Sequence, residues 1–228
     1  MKDRKPFRIP AKEDIHKFRS KIIVWFKKNA RAYPWRKTHD PLKVLIAEMM
    51  LRRTKADQVK PVYDRLFSKY PDIESLSKAD ENKIEEILYP LGLKWRNPAF
   101  GLVAREIKER YCSKVPEKRE ELNNLPGVGD YVSGAVLSFA YGKKEWIVDS
   151  NIVRLFKRYF GIETSKEGRR DKHVIGISKI YASGKDPRTA NLAILDFSAI
   201  ICTPRKPNCE KCPLRKGCYY FSRNCYKI

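Results

Sequence analysis

Leu125-Pro126-Gly127-Val128-Gly129 is the stretch on which the fold turns. Two glycines flank one apolar residue between segments of helical spacing. That pattern makes a tight hairpin whose backbone N–H groups can approach an anion with no Cβ in the way. The apolar helix expected over residues 131–141 adds the partial positive charge of its N-terminus. Gly127, Val128 and Gly129 are therefore candidates for gripping a DNA phosphate without reading sequence. An ordinary helix–turn–helix connection carries the same local pattern. Asp130 is an awkward neighbour for a phosphate, and capping the helix is its expected alternative role.

Working outward from the hairpin, strand-like alternation is scarce and helical spacing recurs. Ile15, Phe18, Ile22, Ile23 and Phe26 predict an amphipathic helix. Pro41 opens a second, with Val44, Leu45, Ile46, Met49 and Met50 as its apolar side. Further helices are predicted from Val59, Val62, Tyr63 and Leu66, over 84–88, over 98–111, from Asp149 onward and over 189–201. No internal repeat or low-complexity segment interrupts them. The predicted fold class is all-α.

Three places carry candidate chemistry. Asp149 stands where the apolar run Trp146-Ile147-Val148 meets a helix start, so it is a helix cap, a carboxylate able to stabilise a sugar cation or activate water, or both. Glu48 interrupts the apolar stretch from Val44 to Leu51. It is either a solvent-facing partner of Arg52 at i+4 or a pocket acid on a helix otherwise facing the core. Arg52 and Arg53 are phosphate contacts or plain surface charge. Cys202, Cys209, Cys212 and Cys218 are spaced C-x6-C-x2-C-x5-C, with Cys112 and Cys225 left over. Structural zinc usually uses two separated pairs, and a disulfide scaffold spreads its bridges along a small secreted chain. Four thiolates in one short loop fit ligation of a [4Fe–4S] cluster, with zinc and free or paired thiols as alternatives.

Composition narrows the partner. The 228 residues carry 49 Lys+Arg against 27 Asp+Glu, a formal charge of +22. Such a field attracts polyanions and raises encounter rates with them; the alternative is a thermophile's charged surface. No apolar run approaches the ~18 residues that cross a bilayer, and the basic N-terminus lacks a secretory core. A soluble intracellular protein of cytoplasm or nucleoid is expected, with no membrane role. The three histidines, His16, His39 and His173, form no spaced metal motif. There is no P-loop, dinucleotide fingerprint or serine-nucleophile motif, so no nucleotide cofactor is expected.

Pro34-Trp35-Arg36, the 48–54 segment, the hairpin, Val148-Asp149 and the cysteine loop, in that order, resemble the helix–hairpin–helix DNA glycosylases of the endonuclease III superfamily over about residues 20–220. The resemblance implies a six-helix barrel domain at 34–142 and an iron–sulfur-cluster helical domain assembled from 1–33 and 143–228, with a DNA-binding cleft between them. It also implies a monomer acting on double-stranded DNA with a mismatched or damaged base. In that superfamily the aspartate matching Asp149 is catalytic. Members that also cleave the backbone carry a Schiff-base lysine two residues after the last hairpin glycine, where this chain has Tyr131. The implied activity is monofunctional, without strong abasic-site lyase action.

Leu51-Arg52-Arg53-Thr54, Tyr131 and Cys202-Thr203-Pro204-Arg205-Lys206-Pro207 look most like the G/T-mismatch thymine and uracil glycosylases. The implied roles are Arg53 probing the space left in the duplex, Glu48 shaping the base pocket, and Tyr131 packing against the flipped nucleotide. Glu48 also matches a pocket glutamate of the A/G-specific adenine glycosylases. Those enzymes carry glutamines at the places of Arg52 and Arg53, and a further C-terminal domain for which ten residues after Cys218 leave no room. Asp130 and Asn97 depart from commonly basic positions. A non-catalytic mismatch- or abasic-site-binding protein is the rival reading, and the joint presence of Asp149 and Glu48 favours an enzyme.

Overall fold

The computed structural model describes residues 9–92 and 94–224; Cys225 lies outside them. It is all-α, with no strand among the described residues. The chain divides into two compact units, one of Met1–Arg31 with Lys144–Ile228, the other of Ala32–Lys143. Helix α1 (Lys12–Asn29) opens the first. Ile15, Phe18 and Ile22 fall on one stripe and are fully buried, and Glu13 and Asp14 at one end and Lys27 and Lys28 at the other complement the helix dipole.

The second unit runs α2 (Pro34–Lys37), α3 (Pro41–Met50), α4 (Ala56–Lys69), α5 (Ile73–Ser77), α6 (Glu81–Leu88), α7 (Pro98–Tyr111), α8 (Arg119–Asn123) and α9 (Asp130–Phe139). Its centre is the pair α3 and α9, which pack on each other. Every residue from Val44 to Met50 and from Val132 to Phe139 is buried, so neither helix has a solvent stripe. Asp40 starts α3 by accepting from the Leu42 and Lys43 amides, with Pro41 preset for the first turn. α9 ends at Phe139, ahead of the expected Tyr141, whose hydroxyl donates back to the Val115 carbonyl at 2.6 Å.

The first unit resumes with α10 (Ser150–Phe160), α11 (Lys172–Ala182), α12 (Pro187–Ile200) and α13 (Tyr219–Asn224). α1 packs on α11 and α12, and α10 on α12 and α13. Phe18 is the hub, its ring meeting Phe156, Tyr159, Phe160 and Tyr181 at centroid distances of 5.9, 4.7, 5.1 and 5.9 Å. Truncating a buried phenylalanine of this kind costs about 3–5 kcal/mol. Asp196, fully buried on α12, is paired with Arg31 at 2.7 Å. α12 begins at Pro187 because Asp186 caps it, accepting from the Thr189 amide. α11 escapes the helical-spacing pattern because Gly176 and Ser178 interrupt its apolar face; its clearest local signal is the Asp171 cap. No described helix is long and apolar enough to cross a membrane.

Candidate functional site

The hairpin closes when the Val128 amide donates to the Leu125 carbonyl at 3.1 Å. Its two glycines are there for different reasons. Gly127 has φ +73°, and a Cβ on it would lie 2.9 Å from Ala99 Cβ and 3.3 Å from Met49 Cε. The fold itself demands glycine at that point. Gly129 has φ −141° and nothing within 4 Å of a would-be Cβ, so nothing in the chain excludes a side chain. An open N-cap glycine leaves the orphan amides of the first turn of α9 accessible to something outside the chain.

Asp130 does not cap the helix, contrary to its expected alternative role; Gly129 is the N-cap and no side chain caps it. The Asp130 carboxylate instead accepts from Asn123 Nδ2 at 2.9 Å, and its carbonyl accepts from Arg119 Nη1 at 2.7 Å. These bonds turn the acid toward α8. Arg52 Nη1 donates to the Gly127 carbonyl at 2.7 Å and holds the hairpin. Arg53, exposed, has φ +62°, a left-handed conformation rare outside glycine and enriched at functional sites. Asn97 is buried at the start of α7, with neither polar atom of its amide hydrogen-bonded among the described residues.

Glu48 is buried rather than solvent-facing: it is 1% exposed. The Tyr131 hydroxyl donates to Glu48 Oε2 at 2.9 Å. A buried carboxyl needs such a partner, because leaving it unpaired costs several kcal/mol. Tyr131 is the second residue of α9, so this bond ties the exit of the hairpin to the middle of α3.

Asp149 is half-buried at the N-cap of α10. Oδ1 accepts from the Ile152 amide at 2.8 Å and Oδ2 from Asn151 Nδ2 at 2.7 Å. Each oxygen has a second lone pair, so capping and chemistry are compatible. The bonds continue away from it. Asn151 Oδ1 accepts from Arg154 Nη1 at 2.8 Å, while Arg154 Nε and Nη2 donate to the carbonyls of Cys202 and Ser198 at 2.9 and 2.8 Å. The carboxylate and the first cysteine of the loop are thus joined through two side chains.

Cys202, Cys209, Cys212 and Cys218 line one pocket of about 340 Å3, counting its open mouth, with Leu155 and Phe197 among its apolar walls. All four are free of disulfides. Burial pushes the Cys212 thiol up to about 11. Four soft sulfur donors around a largely apolar space, beside two arginines that screen negative charge, fit a thiolate-held iron–sulfur cluster. Asn151, Arg154 and Arg158 escape sequence reading, since arginines four apart on a helix are indistinguishable from surface charge until the loop is seen against them.

The HhH-GPD superfamily of base excision DNA repair proteins matches residues 46–179, and the iron–sulfur binding domain of endonuclease III matches residues 202–218. The thymine/uracil-DNA glycosylase of Methanothermobacter thermautotrophicus is 39% identical over 207 residues, covering 90% of this chain and 94% of that protein. The adenine DNA glycosylase of Buchnera aphidicola subsp. Baizongia pistaciae is 30% identical over 211 residues, which are 91% of this chain and 59% of that enzyme. The solved structure of a thermostable thymine-DNA glycosylase superposes with a TM-score of 0.86 at 38% identity, covering 92% of this chain and 98% of that one.

Proposed function

The chain belongs to the HhH-GPD superfamily of base excision DNA repair proteins, and on that footing we propose that it is a monofunctional DNA glycosylase that removes thymine or uracil mispaired with guanine. The observation that carries the reading is the Tyr131 phenol on the buried Glu48. A phenol cannot form an imine with the sugar, so the residue after the hairpin supports base removal without strand cleavage.

The orphan amides at Gly129 and the first turn of α9 bind a backbone phosphate, drawn in by the +22 charge. The nucleotide leaves the stack where a mispair makes unstacking cheapest. Arg53, exposed and already in a strained conformation, occupies the space it vacates. Glu48 and Tyr131 hydrogen-bond and pack against the base. As the N-glycosidic bond lengthens, positive charge builds on the deoxyribose; Asp149, held by its own helix and by Asn151, stabilises that charge and orients the attacking water. Cys202, Cys209, Cys212 and Cys218 hold the [4Fe–4S] cluster, which braces the loop carrying the exposed Arg205 and Lys206 and has no part in the hydrolysis.

The test is a panel of duplexes containing G/T, G/U, A/G and oxidised bases, assayed for base release with and without later alkali. Thymine and uracil release with strand breaks only after alkali is expected. Preferred release of adenine overturns the base assignment; breaks before alkali overturn the monofunctional one. Tight mismatch binding with no release of any base supports a binding protein instead.

A further inference from the structure

Arg158 sits on α10 one turn beyond Arg154 and touches both ends of the cysteine loop. Its Nη1 lies 3.6 Å from Cys202 Sγ and donates to the Thr203 carbonyl at 2.6 Å, and its Nη2 donates to the Pro204 carbonyl at 2.7 Å. The Tyr220 ring covers the guanidinium at 4.9 Å. At the other end of the loop the Cys218 thiol donates to the backbone carbonyl of Arg158 at 3.4 Å. One residue therefore holds the first cysteine by its side chain and the last by its main chain, sixteen positions apart in sequence.

We propose that Arg158 is the clasp that pre-forms the cluster cradle: it fixes Cys202 and its two followers against α10 before iron arrives, and screens the Cys202 sulfur once the cluster is bound. The planar fork matters as well as the charge, because two adjacent carbonyls and a sulfur are met at once, which a lysine cannot do. A loop held in this way loses less conformational freedom when its four thiolates converge. A positive group on a ligating sulfur also favours the more negative, reduced cluster and so raises its potential. This inference is independent of which base the enzyme removes.

The experiment uses the full-length protein and three variants, reading the visible absorbance of the cluster during reconstitution from iron and sulfide and during its loss to an iron chelator. Arg158→Gln is expected to lose the cluster about ten-fold faster than the parent and to reconstitute correspondingly more slowly. Its reduction potential should fall. Arg158→Lys is expected to lose the cluster faster as well, while keeping a potential near that of the parent. The split between retention and potential is what a merely structural role would not give. Tyr220→Leu, which leaves the arginine in place, should speed loss about three-fold, and it keeps the test open if the glutamine variant does not fold. Loss and reconstitution rates equal to the parent's in the Arg158 variants, or in Tyr220→Leu and Arg158→Lys together, overturn the proposal.

Discussion

The seam between α3 and α9 and the N-terminus of α10 each present an acid, and they hold it in opposite ways. Glu48 is sealed among apolar side chains on a helix with no solvent face, and a phenol from the neighbouring helix donates to it. Asp149 is half-open at the first turn of its helix, where a backbone amide and a side-chain amide donate to its two oxygens. The first arrangement fixes a carboxyl in place at the cost of burying it. The second leaves a carboxylate part-exposed and holds it rigidly through both oxygens. A pocket wall needs the former, and a group that must meet developing positive charge needs the latter.

That contrast fails or sharpens under five substitutions. The largest effect belongs to Asp149→Asn, which retains a good N-cap but removes the charge. Single-turnover base release should fall about 10³-fold while mismatch binding and melting temperature stay close to the parent's. Near-normal release would take Asp149 out of the chemistry. Glu48→Gln keeps an acceptor for the Tyr131 hydroxyl, so the fold should tolerate it. Base release should drop by about 10- to 100-fold, less than for Asp149, through weaker pocket binding. A larger loss at Glu48 than at Asp149 would reverse the division of labour between the two acids.

The hairpin glycines test the seam at its exposed end. Gly129→Ala should weaken duplex affinity about ten-fold with no change in melting temperature, because only the ligand approaches that Cβ. Gly127→Ala should instead cost about 2 kcal/mol of stability, from left-handed strain and the clash with Ala99, measured by denaturant unfolding. If the two glycines respond alike, the distinction between a fold-imposed and a ligand-imposed glycine is lost. The smallest effect on base release is expected from Tyr131→Phe, which removes one donor to a buried carboxyl. A stability loss of about 1–3 kcal/mol, read by the same unfolding measurement, would come with a modest fall in base release.

Much of this was legible in the chain because its signals are local. Asp40-Pro41 announces a helix start, Pro98 sits at the first position of α7, and two glycines around a valine announce the hairpin. The cysteine spacing is equally self-contained. What the chain could not disclose depends on contacts across long separations. Glu48 could be a surface partner of Arg52 or a buried acid until Tyr131, 83 positions away, was seen to donate to it. Arg52, expected at a phosphate or on the surface, is exposed and also donates to the Gly127 carbonyl. Arg154 and Arg158 acquire meaning only when residues 198–204 are folded against α10. Asp149 caps its helix, one of its two expected roles, and its oxygens keep lone pairs enough for the proposed chemistry as well.

The packing of α1 on α11 and α12 has a consequence for how the protein is made. Phe18 emerges from the ribosome early, yet its partners Phe156 and Tyr181 lie far downstream, with the whole of Ala32–Lys143 translated in between. At synthesis rates of about 5–20 residues per second the nascent first helix waits for seconds with its apolar stripe uncovered. The inserted unit can meanwhile close on itself. A ribosome stalled before α10 would leave that stripe bare for chaperones to find, so synthesis of the later helices is itself the step that finishes the first unit.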